Sequence, residues 1–161
     1  MGASCILTYR QGEGDGDDDG DGDGDARRAN LAIVLARLAR SPAIETIVVE
    51  QDRVPRLSGE LPHPRARHLF VHNAGPFNKG WGFNVGAGLA SGSELAFMDA
   101  DVLVGDSLDN AFALCARECA MVKPYVRLAD LTREQTRAQT RALRTGTLAP
   151  AVIDPHRQAR D

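Results

Sequence analysis

Two aspartates, Asp99 and Asp101, form the pair with the clearest chemical potential in the chain. They directly follow the apolar residues 95–98. A buried strand that ends in two carboxylates presents both at the carboxyl edge of a sheet, where α/β proteins bind ligands. Carboxylates in that place suit a divalent cation, Mn²⁺ or Mg²⁺, whose coordination is completed by diphosphate oxygens. The alternative is a strand-end turn with solvated acids, and the short Asp-x-Asp pattern alone leaves both interpretations open.

A second segment with chemical potential is Phe-Asn-Lys-Gly-Trp-Gly-Phe-Asn-Val-Gly, residues 77–86. Its glycines allow a ligand to approach the backbone closely, and Lys79 supplies a positive charge for a phosphate. Asn84 is placed to cap a helix that follows. The alternative is an aromatic-anchored loop before a helix whose small residues pack tightly on a sheet.

The hydrophobic pattern predicts an α/β fold. Strands are expected at residues 5–9, 44–50, 68–72 and 94–98, and helices at residues 26–40, 85–90, 107–115 and 131–143, with an extended piece at 121–126. Because strand, helix and strand alternate, the sheet should be mostly parallel and flanked by helices. We expect one domain over residues 1–161 with an irregular tail from 145.

The charge is divided unevenly along the chain. It has 22 Asp+Glu against 19 Lys+Arg, and eight of the acids lie in the Gly/Asp tract of residues 12–25. The other 14 acids face 19 bases, so the body is basic. The composition of the tract predicts a flexible insertion. It begins like a calcium loop, but Ala26 stands where such a loop needs glutamate.

Several classes of protein are disfavoured by the sequence. Since no run approaches the roughly 18 to 20 apolar residues of a membrane helix, we expect no integral membrane segment and a cytoplasmic protein. Arginines recur at helical spacing at positions 133, 137, 141 and 144. We interpret them as a solvated helix face, and we expect no nucleic-acid partner.

Four ordered segments resemble the nucleotide-sugar glycosyltransferases with the GT-A fold, a Rossmann-like architecture. They are Thr8-Tyr9-Arg10, residues 48–52 (Val-Val-Glu-Gln-Asp), residues 77–79 with 84–86, and residues 97–101 (Phe-Met-Asp-Ala-Asp). The resemblance covers about residues 4–130. It is closest to the inverting family-two enzymes and to the amino-terminal part of galactosyltransferase-like and chondroitin-polymerase-like domains.

The resemblance implies a hexosyltransferase that uses a nucleotide-diphospho-sugar, above all a UDP-sugar, and a saccharide or glycan acceptor. Donor-binding residues carried over from it are Tyr9, Arg10, Glu50, Asp52, Lys79, Asn84 and Asp99. Tyr9 and Arg10 would lie beside the base and the diphosphate, and Glu50 and Asp52 would meet the base or ribose. Asp101 would ligate Mn²⁺ or Mg²⁺, while Asp99 would touch the ribose or the metal shell.

The chain also departs from the family pattern. A Gly-Trp-Gly-like segment followed by acidic residues normally supplies the acceptor site and the catalytic base, and no such segment follows Asp109. We therefore assign no catalytic residue and expect a truncated, donor-binding part of the fold. A noncatalytic nucleotide-sugar binding module is the alternative.

A haloacid-dehalogenase-type phosphatase is a further alternative, with Asp99 as nucleophile and Asp101 as acid/base. Against it, that motif normally opens its domain. The residues that follow Asp101 also offer no lysine with an acidic pair after it.

Overall fold

The computed structural model describes residues 2–11, 23–57, 59, 61–104, 107–125, 128–145 and 159–160. The chain divides into two compact units, Met1–Leu103 and Val104–Asp161. Most of the Gly/Asp tract, residues 12–22, lies outside the described residues, as do residues 146–158. The predictions of a flexible insertion and of an irregular tail therefore stay predictions for those positions.

The first unit is a four-stranded parallel sheet with helices, an α/β fold of Rossmann-like type, as the alternating pattern predicts. Its elements are β1 (Ala3–Tyr9), α1 (Asp23–Leu38), β2 (Ile44–Asp52), β3 (Arg67–His72), α2 (Lys79–Ala87) and β4 (Glu94–Asp99). The strand order is β3-β2-β1-β4. All pairs are parallel, with Thr8 opposite Asp99 and Tyr9 opposite Glu50. This register brings the ends of β1, β2 and β4 to one edge.

The core of the first unit lies around its two central strands. Residues 4–9 of β1 and 46–52 of β2 are all buried. The apolar side of α1 is buried too, with Leu31, Leu35 and Leu38 at most 3% exposed. The near-continuous apolar runs of β1 and β2 are thus those of strands covered on both faces.

Helix α2 begins earlier than the pattern predicts. The sequence places a helix at 85–90 with Asn84 as its cap, but the structure starts the helix at Lys79, and the cap is Asn78. The backbone of Asn78 is extended, with φ −120° and ψ 94°, and its side chain accepts a hydrogen bond from the Trp81 N–H at 2.9 Å. The predicted capping role of Asn84 was wrong, because Asn84 lies within the helix.

Two glycines allow α2 to lie close to the sheet. Gly82 and Gly86 are the buried residues of the helix. A Cβ at Gly82 would overlap Thr8 and Gln51, and a Cβ at Gly86 would overlap Ile6. The low helix propensity of glycine is therefore offset at these positions by close packing on β1 and β2.

At the amino end of β2, Glu45 is the centre of a hydrogen-bond network. The Glu45 carboxylate accepts from the Ser4 hydroxyl at 2.6 Å, from the Ser91 N–H at 2.8 Å and from the Arg67 guanidinium at 2.8 Å. Burial alone would raise the pKa of Glu45, but these hydrogen bonds outweigh it and lower the pKa from 4.5 to about 2.

We expect Glu45 to contribute stability that depends on pH. Because its folded-state pKa is depressed, its contribution is fully present above pH 4.5 and is lost as the pH falls towards 2. Urea unfolding of the wild type and of Glu45→Gln between pH 6 and 2 measures this contribution. The difference in free energy of unfolding between the two proteins should shrink with falling pH; a constant difference would contradict the role of the carboxylate.

The second unit holds α3 (Ser107–Cys115), β5 (Leu128–Ala129), α4 (Arg133–Arg144) and β6 (Ala159–Arg160), with β5 and β6 antiparallel. A reciprocal capping box starts α4: the Gln135 N–H donates to Thr132 Oγ1, and the Thr132 N–H donates to Gln135 Oε1. In the expected extended piece at 121–126, residues 121–125 form no paired strand, and residue 126 lies outside the described residues. In this stretch Pro124 lacks the N–H that strand pairing requires.

The exposed surface of α4 includes Arg133, Arg137 and Arg141, in agreement with a solvated arginine face. Among the helices that the structure describes, none has the length and apolar character needed to cross a membrane.

Candidate functional site

A cavity of about 400 Å³ opens at the carboxyl edge of the sheet, beside the ends of β1 and β4. Its walls come from three parts of the first unit. The lining residues are Thr8, Tyr9 and Arg10 from β1 and its end, Ala26, Arg27 and Asn30 from α1, and Phe77, Lys79, Asp99, Ala100 and Asp101 from the α2 and β4 ends. Five predicted site residues, Tyr9, Arg10, Lys79, Asp99 and Asp101, therefore meet at one cavity.

Lys79 and Asp99 form an ion pair in this cavity. The Lys79 Nζ lies 2.5 Å from Asp99 Oδ1, and the two side chains are 51% and 43% exposed. Lys79 is the first residue of α2 and Asp99 the last of β4, so the helix cap at Asn78 and the pairing of β4 with β1 fix their backbones. The Asp99 carboxylate, which the sequence predicts to contact a ribose or a metal, thus forms an ion pair with Lys79.

Tyr9, which lines the cavity, carries a buried hydroxyl. The residue is 2% exposed, and its Oη has no hydrogen-bond partner among the described residues. Burial raises the pKa of Tyr9 to about 12, with the positive charge of Arg28 opposing the shift. A buried hydroxyl without a partner costs free energy.

Arg10 connects the end of β1 to β2 and to the segment after β3. Its Nε donates to the Gln51 carbonyl at 2.7 Å, and its two terminal nitrogens donate to the carbonyls of Gly75 and Asn73 at 2.7 and 2.9 Å. Its guanidinium also lies over the Phe77 ring, 6.0 Å from the centroid. Three of its five N–H groups are thus engaged with backbone, which makes Arg10 chiefly a wall of the cavity.

Glu50, Asp52 and Asn84 do not line the cavity. The Glu50 carboxylate is fully buried and accepts from the N–H groups of Arg56 and Leu57, with His68 Nε2 at 2.9 Å. The Asp52 carboxylate accepts from the Arg53 N–H and from Arg56 Nε. Both acids thus hold the loop after β2, while Asn84 is exposed on α2.

Gln51 is a positioning residue that sequence reasoning missed. It is fully buried, and its Nε2 donates to Thr8 Oγ1 at 2.7 Å and to the Asn78 carbonyl at 3.0 Å. Its Oε1 accepts from the Asn78 N–H at 3.3 Å and from Asn73 Nδ2 at 3.2 Å. Gln51 thereby fixes the residue that caps α2 and precedes Lys79.

Arg27 and Asn30 also line the cavity without having been predicted. The sequence did contain a signal for them. In a strand-helix-strand unit the first turns of the helix follow the carboxyl end of the strand, so polar residues there adjoin the ligand-binding edge.

The donor set at Asp99 and Asp101 fits a loosely held divalent cation. Within the described residues, no group of three or more His, Cys, Asp or Glu side chains could hold a metal ion. Mg²⁺, however, is commonly bound through one or two carboxylates, with water and substrate phosphates as its other ligands. Asp101 is exposed at the cavity, and Asp99 Oδ1 contacts Lys79. The two residues therefore suit a cation whose coordination the ligand completes.

Comparison of the chain with protein-family models, with curated proteins and with solved structures gave no match. The parallel sheet of order β3-β2-β1-β4 therefore shows the α/β fold class of this chain, and no family is assigned to it.

Proposed function

We propose that the chain is a glycosyltransferase of the GT-A type whose first unit binds a nucleotide-diphospho-sugar, with UDP-sugars as the leading donor class. The observation that carries the proposal is the convergence of Lys79, Asp99 and Asp101 on one cavity at the carboxyl edge of a parallel sheet. A lysine and a carboxylate pair at this edge match the two needs of a diphosphate: positive charge and a bridging cation.

The cavity residues divide the work of binding such a donor. Lys79 Nζ would form a charge-assisted hydrogen bond with a phosphate oxygen. A cation held by Asp101 and Asp99 would neutralise the leaving nucleoside diphosphate and act as a Lewis acid. Phe77 is 40% exposed beside the Arg10 guanidinium, so its ring can stack on a base.

Asp101→Ala tests the proposal most directly. We expect UDP binding in the presence of Mn²⁺, followed by calorimetry, to fall by at least about tenfold, because the substitution removes a charged ligand group. The fold should be preserved, since Asp101 is exposed. Glu118→Ala is the matched control, because this exposed carboxylate does not line the cavity. Equal binding by wild type and Asp101→Ala, or no binding by wild type, would refute the proposal.

A noncatalytic nucleotide-sugar binding module is the second candidate. The observation that favours it is the acid content of the cavity: among its lining residues in the described part of the chain, Asp99 and Asp101 are the only carboxylates, and both are assigned to the donor and cation. Among the described lining residues, no third carboxylate is therefore left to serve as general base for an acceptor hydroxyl.

Measurement of UDP release separates the two candidates. The wild-type chain is incubated with UDP-glucose or UDP-galactose, Mn²⁺ and a panel of saccharide acceptors. UDP release that depends on both Asp101 and an acceptor supports the transferase. Tight UDP-sugar binding without any release supports the binding module.

A further inference from the structure

The ion pair between Lys79 and Asp99 joins two groups that the proposed function assigns to different ligands, the diphosphate and the cation. Lys79 is one of two lysines in the chain, and its ammonium already neutralises one of the two proposed cation ligands. The same ammonium is the group proposed to meet the donor phosphate. A divalent cation bound at Asp99 would neutralise that carboxylate and repel the ammonium, whereas a diphosphate would attract it.

We infer that Lys79 is an exchangeable counter-ion, which holds Asp99 when no divalent cation is bound and moves to the donor diphosphate when one is. This inference rests on the proposed function, since it takes the cation and the diphosphate as the ligands of this cavity. It adds an order to their binding: the cation frees the lysine that the diphosphate requires.

The exposure of the pair makes the exchange feasible. Both side chains are about half exposed, and ion pairs between exposed groups contribute little stability. Lys79 can therefore leave Asp99 at small cost. The contact of an ammonium with a phosphate is charge-assisted like the contact with Asp99, and a diphosphate carries more negative charge than one carboxylate.

The backbone on both sides of the pair is fixed, so the exchange is confined to the lysine side chain. The Asn78 side chain caps α2 immediately before Lys79, and both the N–H and the carbonyl of Asn78 are bonded to the buried Gln51 side chain. Asp99 is held by the pairing of β4 with β1. The flexible four-carbon stem of lysine supplies the motion that remains.

Lys79→Met tests the inference through two binding measurements with opposite expected signs. Binding of Mn²⁺ alone to the full chain is followed by the loss of the electron paramagnetic resonance signal of free Mn²⁺. The variant should bind Mn²⁺ about two- to fivefold more tightly than wild type, because Asp99 no longer has a competing partner. At saturating Mn²⁺, the variant should bind UDP about tenfold more weakly, because the phosphate loses a charged donor.

Lys123→Met is the matched control. Lys123 is the other lysine of the chain, is exposed, lies 5.1 Å from the centre of the Tyr125 ring and does not line the cavity. This variant should match wild type in both measurements.

Each other result overturns the inference in a recognisable way. Unchanged or weaker Mn²⁺ binding by Lys79→Met would show that Lys79 does not compete for Asp99. Tighter Mn²⁺ binding with unchanged UDP affinity would show that the freed lysine does not meet the diphosphate. Both results leave the proposed function intact if Asp101→Ala abolishes UDP binding, whereas a wild type that binds neither Mn²⁺ nor UDP refutes the proposed function as well.

Discussion

Gly82→Ala is expected to lower the free energy of unfolding by about 1 to 3 kcal/mol, the usual cost of overpacking a core. A Cβ at this position would overlap Gln51 Nε2 and Thr8 Oγ1, which are hydrogen-bonded to each other at 2.7 Å. Both residues belong to the fully buried central strands and cannot move aside. Helix α2 must therefore shift away from the sheet, or the Gln51 bond must break.

Gly80→Ala is the control in the same helix. A Cβ there would meet only Asn78 Oδ1, at an ordinary 3.7 Å. Since alanine is the better helix former, Gly80→Ala should leave stability unchanged or raise it by up to about 1 kcal/mol. Urea unfolding measures both variants. Equal shifts of the two midpoints would mean that the close packing of Gly82 on the sheet is not what makes this position sensitive.

Gln51→Leu should be about as damaging, with a loss of about 2 to 4 kcal/mol in the free energy of unfolding, because each buried polar group left without a partner costs about 1 to 3 kcal/mol. The substitution keeps most of the side-chain volume but removes the hydrogen bonds to Thr8, Asn73 and Asn78. UDP binding in the presence of Mn²⁺ should fall as well, since Asn78 is the cap that positions Lys79.

A double-mutant cycle with Thr8→Val identifies the source of that loss. Thr8 Oγ1 is one of the partners of Gln51, so the two substitutions remove one shared bond. Their combined cost should be smaller than the sum of the single costs by about 0.5 kcal/mol or more, as for residues in one network. Additive costs would show that the bond to Thr8 does not contribute to the loss.

The sheet could be predicted from the sequence because its signal is local. Residues 44–50 are β-branched and almost wholly apolar, which indicates a strand buried on both faces, and a helical repeat precedes them. The start of α2 could not be predicted in this way. Its first turns contain Gly80 and Gly82, whose intrinsic preferences oppose a helix, and the helix depends on contacts with Thr8 and Gln51 that are distant in the chain.

The candidate site, like the fold, could be predicted from the sequence only in part. Asp99 and Asp101 could be placed at the carboxyl edge because they follow a buried strand, whereas Lys79 was predicted only to meet a phosphate. The cavity brings the three residues together. The burial of Glu50 could not be foreseen, because a carboxylate at a strand end has the same local sequence whether it faces a ligand or binds the N–H groups of Arg56 and Leu57. The role of Gln51 depends on partners 27 and 43 positions away in the sequence.

The cavity wall is stiffer at Arg10 than at the side chains of Lys79 and Asp99. Because the three hydrogen bonds of Arg10 join the end of β1 to the Gln51 carbonyl in β2 and to the carbonyls of Asn73 and Gly75, the segment after β3 is held to both central strands. The side chains of Lys79 and Asp99, which also line the cavity, are joined by a half-exposed ion pair. We expect these two side chains to adjust to ligands of different size, while Arg10 acts as a fixed template.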